Sequence, residues 1–388
     1  MSSKTNMRVI FALTLVHFTG DFYSAFTTPL FPLFVDKMGL SLTQVGVIAG
    51  ISRFLAFIVQ PSAGYLADRY PSRLFSIGGL ALAVVFIPLC GVASGFWTLL
   101  AVIALGSLGS SMFHPAVTGM VPVYAGPRAG LSMSIFNTGG TFAFGVGPLF
   151  ITWYAVRFGL GAVPLTMVFG LAVTAYLYLT LPAPLVETTG AKGFLATVRE
   201  SLGPAWKSIA LIWLVMVLRA LTGQSFMTFM PLLFVQEGYS LVSAGLIFAL
   251  FTVAGTISGL VAGSLSDRIG PKPIFLFAHV LMTPVLLLFL QMRGNWGYPG
   301  ALLAGGFVLA TLPLGVVMAQ TLAPRGRSMV ASLMMGFAFG LGGIMAPLIG
   351  RLADLYSIRT VLTWAAWVPV LTVVLIARFP RVTTKDAS

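Results

Sequence analysis

The sequence predicts an all-α membrane protein with twelve transmembrane helices in two pseudo-symmetric six-helix bundles. Three observations support this: the composition, twelve apolar runs that can cross a bilayer, and a repeat of one half of the chain in the other. Of the 388 residues, 58% are hydrophobic and 8% are charged, whereas a soluble domain carries about 25% charged residues. A globular core cannot bury so much apolar surface, so lipid must be the solvent.

A helix needs about 20 apolar residues to cross a bilayer, and the runs are too long for the strands of a membrane barrel. The predicted spans are residues 8–35, 44–66, 74–93, 97–123, 129–156, 160–182, 207–235, 242–264, 274–292, 298–321, 328–350 and 358–378. The longest polar interval, residues 183–206, is the predicted linker between an N-terminal bundle (1–182) and a C-terminal bundle (207–388).

Basic residues are distributed unequally between the two sets of loops, which predicts the orientation of the chain. The side of the N-terminus holds Lys4, Arg8, Arg69, Arg73, Arg128, Lys192, Arg199, Lys207, Arg268, Lys272, Arg325, Arg327, Arg378, Arg381 and Lys385, and the other side holds Lys37, Arg157, Arg293, Arg351 and Arg359. Both termini are therefore expected in the cytoplasm. The net charge of +13 reflects this loop bias, so we do not expect nucleic-acid binding.

A shift of 199 residues, without gaps, aligns many identical residues of the two halves. The matches include Pro32 with Pro231, Gly39 with Gly238, Gly46 with Gly245, Asp68-Arg69 with Asp267-Arg268, Arg128 with Arg327, and Pro148-Leu149 with Pro347-Leu348. The halves are therefore expected to be parallel repeats, related by an axis along the membrane normal.

The loops after the second and eighth spans carry one motif, Gly-x-x-x-Asp-Arg followed by a basic residue. Glycine allows close helix contact, and the aspartate can accept from a helix N-terminus or pair with arginine. We predict a gating role for Gly64, Asp68, Arg69, Arg73, Arg128, Gly263, Asp267, Arg268, Lys272 and Arg327. The alternative is an ordinary positively charged loop with a turn.

The fifth and eleventh spans combine small residues with proline. Gly145, Gly147 and Pro148 in the fifth span, and Pro347 in the eleventh, are predicted to serve helix packing. The fifth-span stretch also resembles the motif of drug–proton antiporters, although Leu149-Phe150 stand where that motif usually has two glycines. Close packing without any bearing on transport direction is the alternative.

Ionisable and polar residues inside predicted spans are the main functional candidates, because they are costly in a bilayer. His17 and Asp21 lie four residues apart, on one face of the first helix, and are predicted to couple transport to protons. The predicted substrate-binding residues are Arg53, Arg219, His114, Asn137 and Gln224. The 199-residue offset makes Arg219 equivalent to Gly20, the residue before Asp21. The two charged residues are therefore predicted to form a pair across a central cavity. Neutral core histidines are the alternative for His17 and His114.

The charges inside the spans sum to a positive value, which favours an anionic solute. No metal site is expected, since the three histidines lack metal-ligand spacing and Cys90 is the single cysteine. The sequence also has no recognisable catalytic constellation. We therefore expect no catalytic residues and no cofactor.

The loop motif and several further stretches resemble the major facilitator superfamily, and more narrowly its fosmidomycin-resistance branch. These stretches are His17-x-x-x-Asp21, Gly109-Ser-Ser-Met-Phe-His114-Pro115, Ser134-Ile-Phe-Asn-x-Gly139-Gly140, Gly336-Phe-Ala-Phe-Gly340-Leu-Gly-Gly343 and Ala353-Asp354. The resemblance covers the whole chain and implies the major facilitator fold. It also implies a proton-coupled exporter of small drugs in a bacterial cytoplasmic membrane, including a phosphonate antibiotic that is anionic at neutral pH.

The expected function is proton-driven efflux of a small, anionic organic compound, by a monomer that rocks between two bundles. The proton gradient would supply the energy, and membrane lipid and the solute would be the only partners. An uptake symporter for an organic anion, such as a monocarboxylate or sugar acid, would use the same residues with opposite coupling. A membrane enzyme or sensor is the other alternative, but neither a catalytic site nor a soluble output domain is visible.

Overall fold

The computed structural model describes residues 5–67, 73–182, 202–323, 330, 334 and 338–380, and in these ranges all regular secondary structure is helical. The α-helices are α1 (Met7–Ser24), α2 (Phe31–Met38), α3 (Leu42–Ala67), α4 (Gly79–Phe86), α5 (Phe96–Ala125), α6 (Ala129–Phe158), α7 (Met167–Thr180), α8 (Trp206–Gln236), α9 (Leu241–Ile269), α10 (Pro271–Gln291), α11 (Gly297–Leu309), α12 (Leu312–Leu322), α13 (Ala338–Ile344), α14 (Ala346–Leu355) and α15 (Ile358–Ala377).

Eleven stretches in the described part of the chain are long and apolar enough to cross a membrane. They match eleven of the twelve predicted spans. The remaining one, residues 328–350, lies partly outside the described ranges, and its described part includes α13 and the start of α14. Large apolar side chains such as Leu179 and Trp97 are 80% and 76% exposed, as expected for helices solvated by lipid.

The chain divides into two units. Unit 1 comprises Met1–Leu40, Phe54–Thr189 and Ser240–Ala249, and unit 2 comprises Ser41–Arg53, Gly190–Tyr239 and Leu250–Ser388. The two short segments, which begin at Ser41 and Ser240, start at equivalent positions of the 199-residue repeat. Residues 183–201 of the predicted linker lie outside the described ranges, so the predicted domain boundaries stay a prediction.

In unit 1, α1 packs mainly against α6 and α5, and α4 packs along α5. Glycines allow the close approach of α4 and α5, because a Cβ at Gly109 would lie 2.4 Å from the carbonyl oxygen of Gly79. The segment before α1 is held by Thr5, whose hydroxyl donates to the carbonyl of Ala125 at 2.8 Å. The side chain of Asn6 then caps α1 by accepting from the Val9 N–H.

In unit 2, α8 packs against α15 and α13, and α10 packs against α15 and α11. Glycine again sets the tightest contacts. A Cβ at Gly305 would lie 1.9 Å from the carbonyl oxygen of Phe251, and one at Gly342 would lie 2.6 Å from the Ala220 Cβ. A buried apolar cluster that includes Met216, Phe275 and Leu314 fills the space between these helices.

Candidate functional site

The residues that α1 and α5 bring together form a cluster of His17, Asp21 and His114, in which Asp21 is buried and both histidines are half-buried. The Nε2 atom of His17 lies 3.2 Å from Oδ2 of Asp21. The Nε2 atom of His114 lies 2.9 Å from Oδ1 of the same carboxylate. The Asp21 side chain is only 6% exposed, so each carboxylate oxygen has an imidazole partner in a site that is largely shielded from water.

Backbone carbonyls orient both imidazole rings from behind. His17 Nδ1 lies 3.0 Å from the carbonyl oxygen of Phe136, and His114 Nδ1 lies 2.7 Å from that of Ser110. A carbonyl can only accept, so in each ring Nδ1 carries a proton, while Nε2 faces the carboxylate. Each imidazole also stacks on an aromatic ring, which fixes the orientation of its plane. His17 stacks on Phe136 and His114 stacks on Phe113, each pair with ring centroids 4.2 Å apart.

Two glycines make room for the cluster. A Cβ at Gly140 of α6 would lie 2.6 Å from Oδ2 of Asp21 and 2.7 Å from Nε2 of His17. A Cβ at Gly20, next to Asp21, would lie 2.2 Å from the Phe113 ring. No role was predicted for either glycine from the sequence, since only the packed helices show that a methyl group would displace the carboxylate or the ring.

The structure thus joins two predicted coupling residues, His17 and Asp21, to His114, which the sequence analysis assigned to substrate binding. Helical spacing predicted the His17–Asp21 pair, but 93 residues separate Asp21 from His114 and no local pattern links them. One side-chain nitrogen or oxygen atom of each residue lies within 4.8 Å of those of the other two. The Nε2–Oδ distances of 2.9 and 3.2 Å are also those of hydrogen bonds.

Arg219, on α8 in unit 2, is buried, with 1% of its surface exposed. Its Nη1 donates to the carbonyl of Val308 at 2.9 Å. Gln224, on the same helix, is 5% exposed. A pair between Asp21 and Arg219, and the contact of Arg219 with substrate, stay predictions.

The other two predicted substrate residues have different environments. The stem of Arg53 packs on α13, where a Cβ at Gly343 would lie 2.3 Å from the Arg53 Cγ, and the residue is half-buried. Asn137 on α6 is exposed. Their roles toward a substrate stay predictions.

The basic residue that ends each loop motif binds the last helix of its own sequence half. Arg73 donates to the carbonyl of Tyr178 at 2.8 Å, and Lys272 donates to the carbonyl of Ala377 at 2.8 Å. Both pairs are related by the 199-residue offset. A cation at a helix C-terminus satisfies free carbonyls and the helix dipole, so these two residues act as helix caps in this structure.

The remaining gating candidates that the structure describes lie within a helix or next to a helix end. Asp267 and Arg268 are exposed in the last turn of α9, and Arg128 is exposed before α6. A Cβ at Gly263 would have no heavy atom of another side chain or helix within 4 Å. Gly64 lies in α3, while Asp68, Arg69 and Arg327 lie outside the described residues.

The predicted packing residues adjoin close helix contacts. A Cβ at Gly147 would lie 3.0 Å from the Ala25 Cβ, and one at Gly50 would lie 3.3 Å from the Pro347 side chain. The carbonyl of Pro148 accepts a hydrogen bond of 2.7 Å from the Thr152 hydroxyl. Gly145, one turn earlier on α6, is half-buried.

Asp354 has a contact that the sequence analysis missed. Its carboxylate accepts from the N–H groups of Leu42 and Thr43, at 2.8 and 2.9 Å, and from the Thr43 hydroxyl at 2.5 Å. It therefore caps the N-terminus of α3. Partial burial would raise the pKa of Asp354, but the Thr43 and Leu42 donors and nearby Arg351 outweigh it and hold the pKa below its ordinary value.

A model of the Major Facilitator Superfamily matches residues 11–347. The chain is 27% identical over 376 residues to the fosmidomycin resistance protein of Escherichia coli, which covers 95% of this chain and 92% of that protein. It is 28% identical over 360 residues to the multidrug resistance protein MdtG of Serratia proteamaculans, covering 86% of this chain and 84% of that protein.

Solved transporters share the fold. A bacterial homologue of the human lysosomal transporter Spinster, in an inward-facing and occupied conformation, superposes with a TM-score of 0.83 and 16% identity, covering 100% of this chain and 99% of that one. The nucleoside transporter NupG gives a TM-score of 0.75 and 13% identity, covering 96% and 98%. The predicted fold, and a transporter instead of an enzyme, are thereby confirmed. The chain belongs to the Major Facilitator Superfamily.

Proposed function

We propose that this transporter exports a small, anionic organic compound in exchange for protons, by alternating access. The observation that carries the proposal is the His17–Asp21–His114 cluster, in which one buried carboxylate contacts two imidazoles. Intramembrane groups that bind protons are the usual elements of proton relays in transporters. Histidine is suited to the task because its charge changes near neutral pH.

The cluster connects proton binding to helix packing. Asp21 lies on α1 and His114 on α5, so the proton that bridges them also contributes to the contact between two helices. Loss of that proton would place two lone pairs 2.9 Å apart, which favours separation of the helices. Differential proton affinity between two conformations is what a coupled transporter requires.

An anionic substrate is proposed from the balance of charge. Arg53 and Arg219 add two cations within the predicted spans, and the protonated cluster adds to that surplus. Anions gain most from such a surplus in a medium of low dielectric constant. The similarity to a fosmidomycin resistance protein is in keeping with this substrate class, and makes fosmidomycin the first compound to test.

The remaining features of the proposal come from the sequence. The transporter would be a monomer in a bacterial cytoplasmic membrane, with both termini in the cytoplasm and a proton gradient in place of a cofactor. The proposed bundles are residues 1–182 and 207–388. The two loop motifs would act as gates between them.

Transport by purified protein in liposomes tests the proposal. Radiolabelled fosmidomycin and a panel of small organic anions are offered under imposed pH gradients of either sign. An exchanger accumulates its substrate when the lumen is acidic, because protons leave as substrate enters. Accumulation driven by an acidic exterior would identify the uptake symporter instead and refute export.

Asp21→Asn should abolish gradient-driven accumulation while the protein remains folded. His279→Gln, which changes a buried histidine that lies outside the cluster, is the matched control and should keep the dependence on the gradient. Undiminished proton-driven transport by Asp21→Asn would remove the cluster from the mechanism.

A further inference from the structure

We infer that the cluster binds two protons at once, so that His114 is a second proton carrier beside His17. The role of these protons in transport rests on the proposed function, whereas their number follows from the hydrogen-bond geometry. His114 was predicted from the sequence to contact substrate, and in the structure it makes the shorter of the two contacts with Asp21, 2.9 Å against 3.2 Å.

In each imidazole ring, Nδ1 is the nitrogen that does not contact Asp21. Nδ1 of His17 and Nδ1 of His114 each point at a backbone carbonyl, at 3.0 and 2.7 Å. A carbonyl has no hydrogen to donate, so each Nδ1 must carry one. A neutral ring has a single N–H. If both rings were neutral, each Nε2 would therefore be an unprotonated acceptor.

In each imidazole ring, Nε2 is the nitrogen that contacts Asp21. Each Nε2 faces a different oxygen of Asp21, and an ionised carboxylate can only accept. Distances of 2.9 and 3.2 Å between two acceptors are repulsive unless a hydrogen lies between them. Each contact therefore requires one proton, and we place it on Nε2 because imidazole is a stronger base than a carboxylate. With both protons present, the cluster carries a net charge of +1.

The helices packed around the cluster bring no further charge to it in the part of the chain that is described. Their other ionisable side chains are Arg8 and Tyr23 on α1, Tyr124 on α5, Tyr154 and Arg157 on α6, and Tyr176 and Tyr178 on α7, while α4 has none. Arg8 is nine residues from His17, about 13 Å along the helix. Tyr23 donates to the carbonyl of Thr166 at 2.5 Å. Asp21 therefore balances one of the two positive charges, and the other remains as the net charge of +1.

The two protons differ in what their release costs. Release of the first leaves a neutral cluster with one hydrogen bond. Release of the second leaves a net charge of −1 and four acceptor atoms, two Nε2 and two carboxylate oxygens, facing one another around the buried Asp21 side chain, which is unfavourable while α1 and α5 stay in contact. Complete deprotonation should therefore accompany a change in helix packing, and a transport cycle that empties the site exchanges two protons.

The test is nuclear magnetic resonance of full-length protein labelled with ¹⁵N-histidine, in lipid nanodiscs. The chain has three histidines, so His17→Gln, His114→Gln and His279→Gln assign the signals. His279 is the internal control. Its Nδ1 lies 2.6 Å from the Thr372 hydroxyl oxygen, and that hydroxyl donates to the carbonyl of Pro369. We expect His279 to remain neutral.

The expected result is that His17 and His114 both carry protons on both nitrogens at pH 7, and that both lose their Nε2 protons in Asp21→Asn at the same pH. A single doubly protonated ring, or two neutral rings, in the wild type at pH 7 would overturn the inference. Samples are prepared with a metal chelator. If the ¹⁵N signals of His17 and His114 move to metal-bound positions when the chelator is omitted, the inference is also overturned.

This measurement is independent of transport. If the cluster binds two protons but transport is not driven by a proton gradient, the proposed function is refuted and the proton count still holds. Proton-driven transport with one charged ring would do the reverse.

Discussion

The substitution Gly140→Ala tests whether the cluster depends on the space that glycine leaves. The added methyl group would lie 2.6 Å from Oδ2 of Asp21, where an ordinary contact is 3.4–4 Å. The carboxylate must therefore move by about 0.8 Å, and if it moves away from His17 the present 3.2 Å contact is lost. A hydrogen bond to a charged group contributes about 1.5–3 kcal/mol. We expect Gly140→Ala to be less stable by about 1–3 kcal/mol, after a gain of up to about 1 kcal/mol in helix propensity.

Gly119→Ala is the matched control, because a Cβ at this helical glycine of α5 meets nothing within 4 Å. The control should be neutral or slightly stabilising, by up to about 1 kcal/mol. The assay is reversible unfolding in mixed micelles of mild detergent and dodecyl sulfate, with the ¹⁵N-histidine spectrum of His17 recorded in parallel. If both variants are equally stable and the His17 signal does not move, the site is softer than the structure implies and the reasoning is wrong.

Three further predictions concern contacts outside the cluster. Asp354→Ala should cost about 1 kcal/mol above pH 5, the magnitude of a lost helix cap. Since the pKa of Asp354 is lowered in the folded state, its contribution is complete above the unfolded pKa of about 3.9 and is lost as pH falls through the folded value. An unchanged difference from wild type at pH 3 would argue against this. Arg73→Ala should lower the free energy of unfolding by about 0.3–1 kcal/mol, which is what a cation at a helix C-terminus contributes. Thermal unfolding measures this, and an unchanged melting temperature would contradict the capping role of Arg73. Gly305→Ala should prevent folding because its methyl group would meet the Phe251 carbonyl at 1.9 Å, whereas Gly306→Ala, 4.0 Å from its nearest neighbour, should accumulate normally. Equal yields of folded protein in size-exclusion chromatography would refute the contrast.

The loop motif illustrates how far a repeat can be interpreted from sequence. The 199-residue offset indicated that Arg73 and Lys272 are equivalent, and the structure gives them equivalent partners, the carbonyls of Tyr178 and Ala377. The offset could not identify those partners, because a backbone carbonyl has no sequence signature. Both contacts join residues 105 positions apart in the chain.

Arg219 shows the limit of interpreting an intramembrane charge. Its cost in a bilayer correctly indicated that it does not face lipid. It did not indicate whether the guanidinium lines a cavity or satisfies the backbone, and the structure has it buried against Val308. Hydrophobicity constrains how deep a residue lies, but its neighbours depend on how helices rotate and pack.

By itself the sequence determined that this protein is helical, crosses the membrane repeatedly and consists of two related halves. These properties follow from apolar length and periodicity, which act on each helix separately. Only the tertiary structure decided that His114 meets Asp21 and that Gly140 must lack a side chain, since these contacts depend on distances between helices remote in the chain. A site of this kind is assembled by packing, and the side-chain volume at Gly140 on α6 limits where the Asp21 carboxylate of α1 can lie.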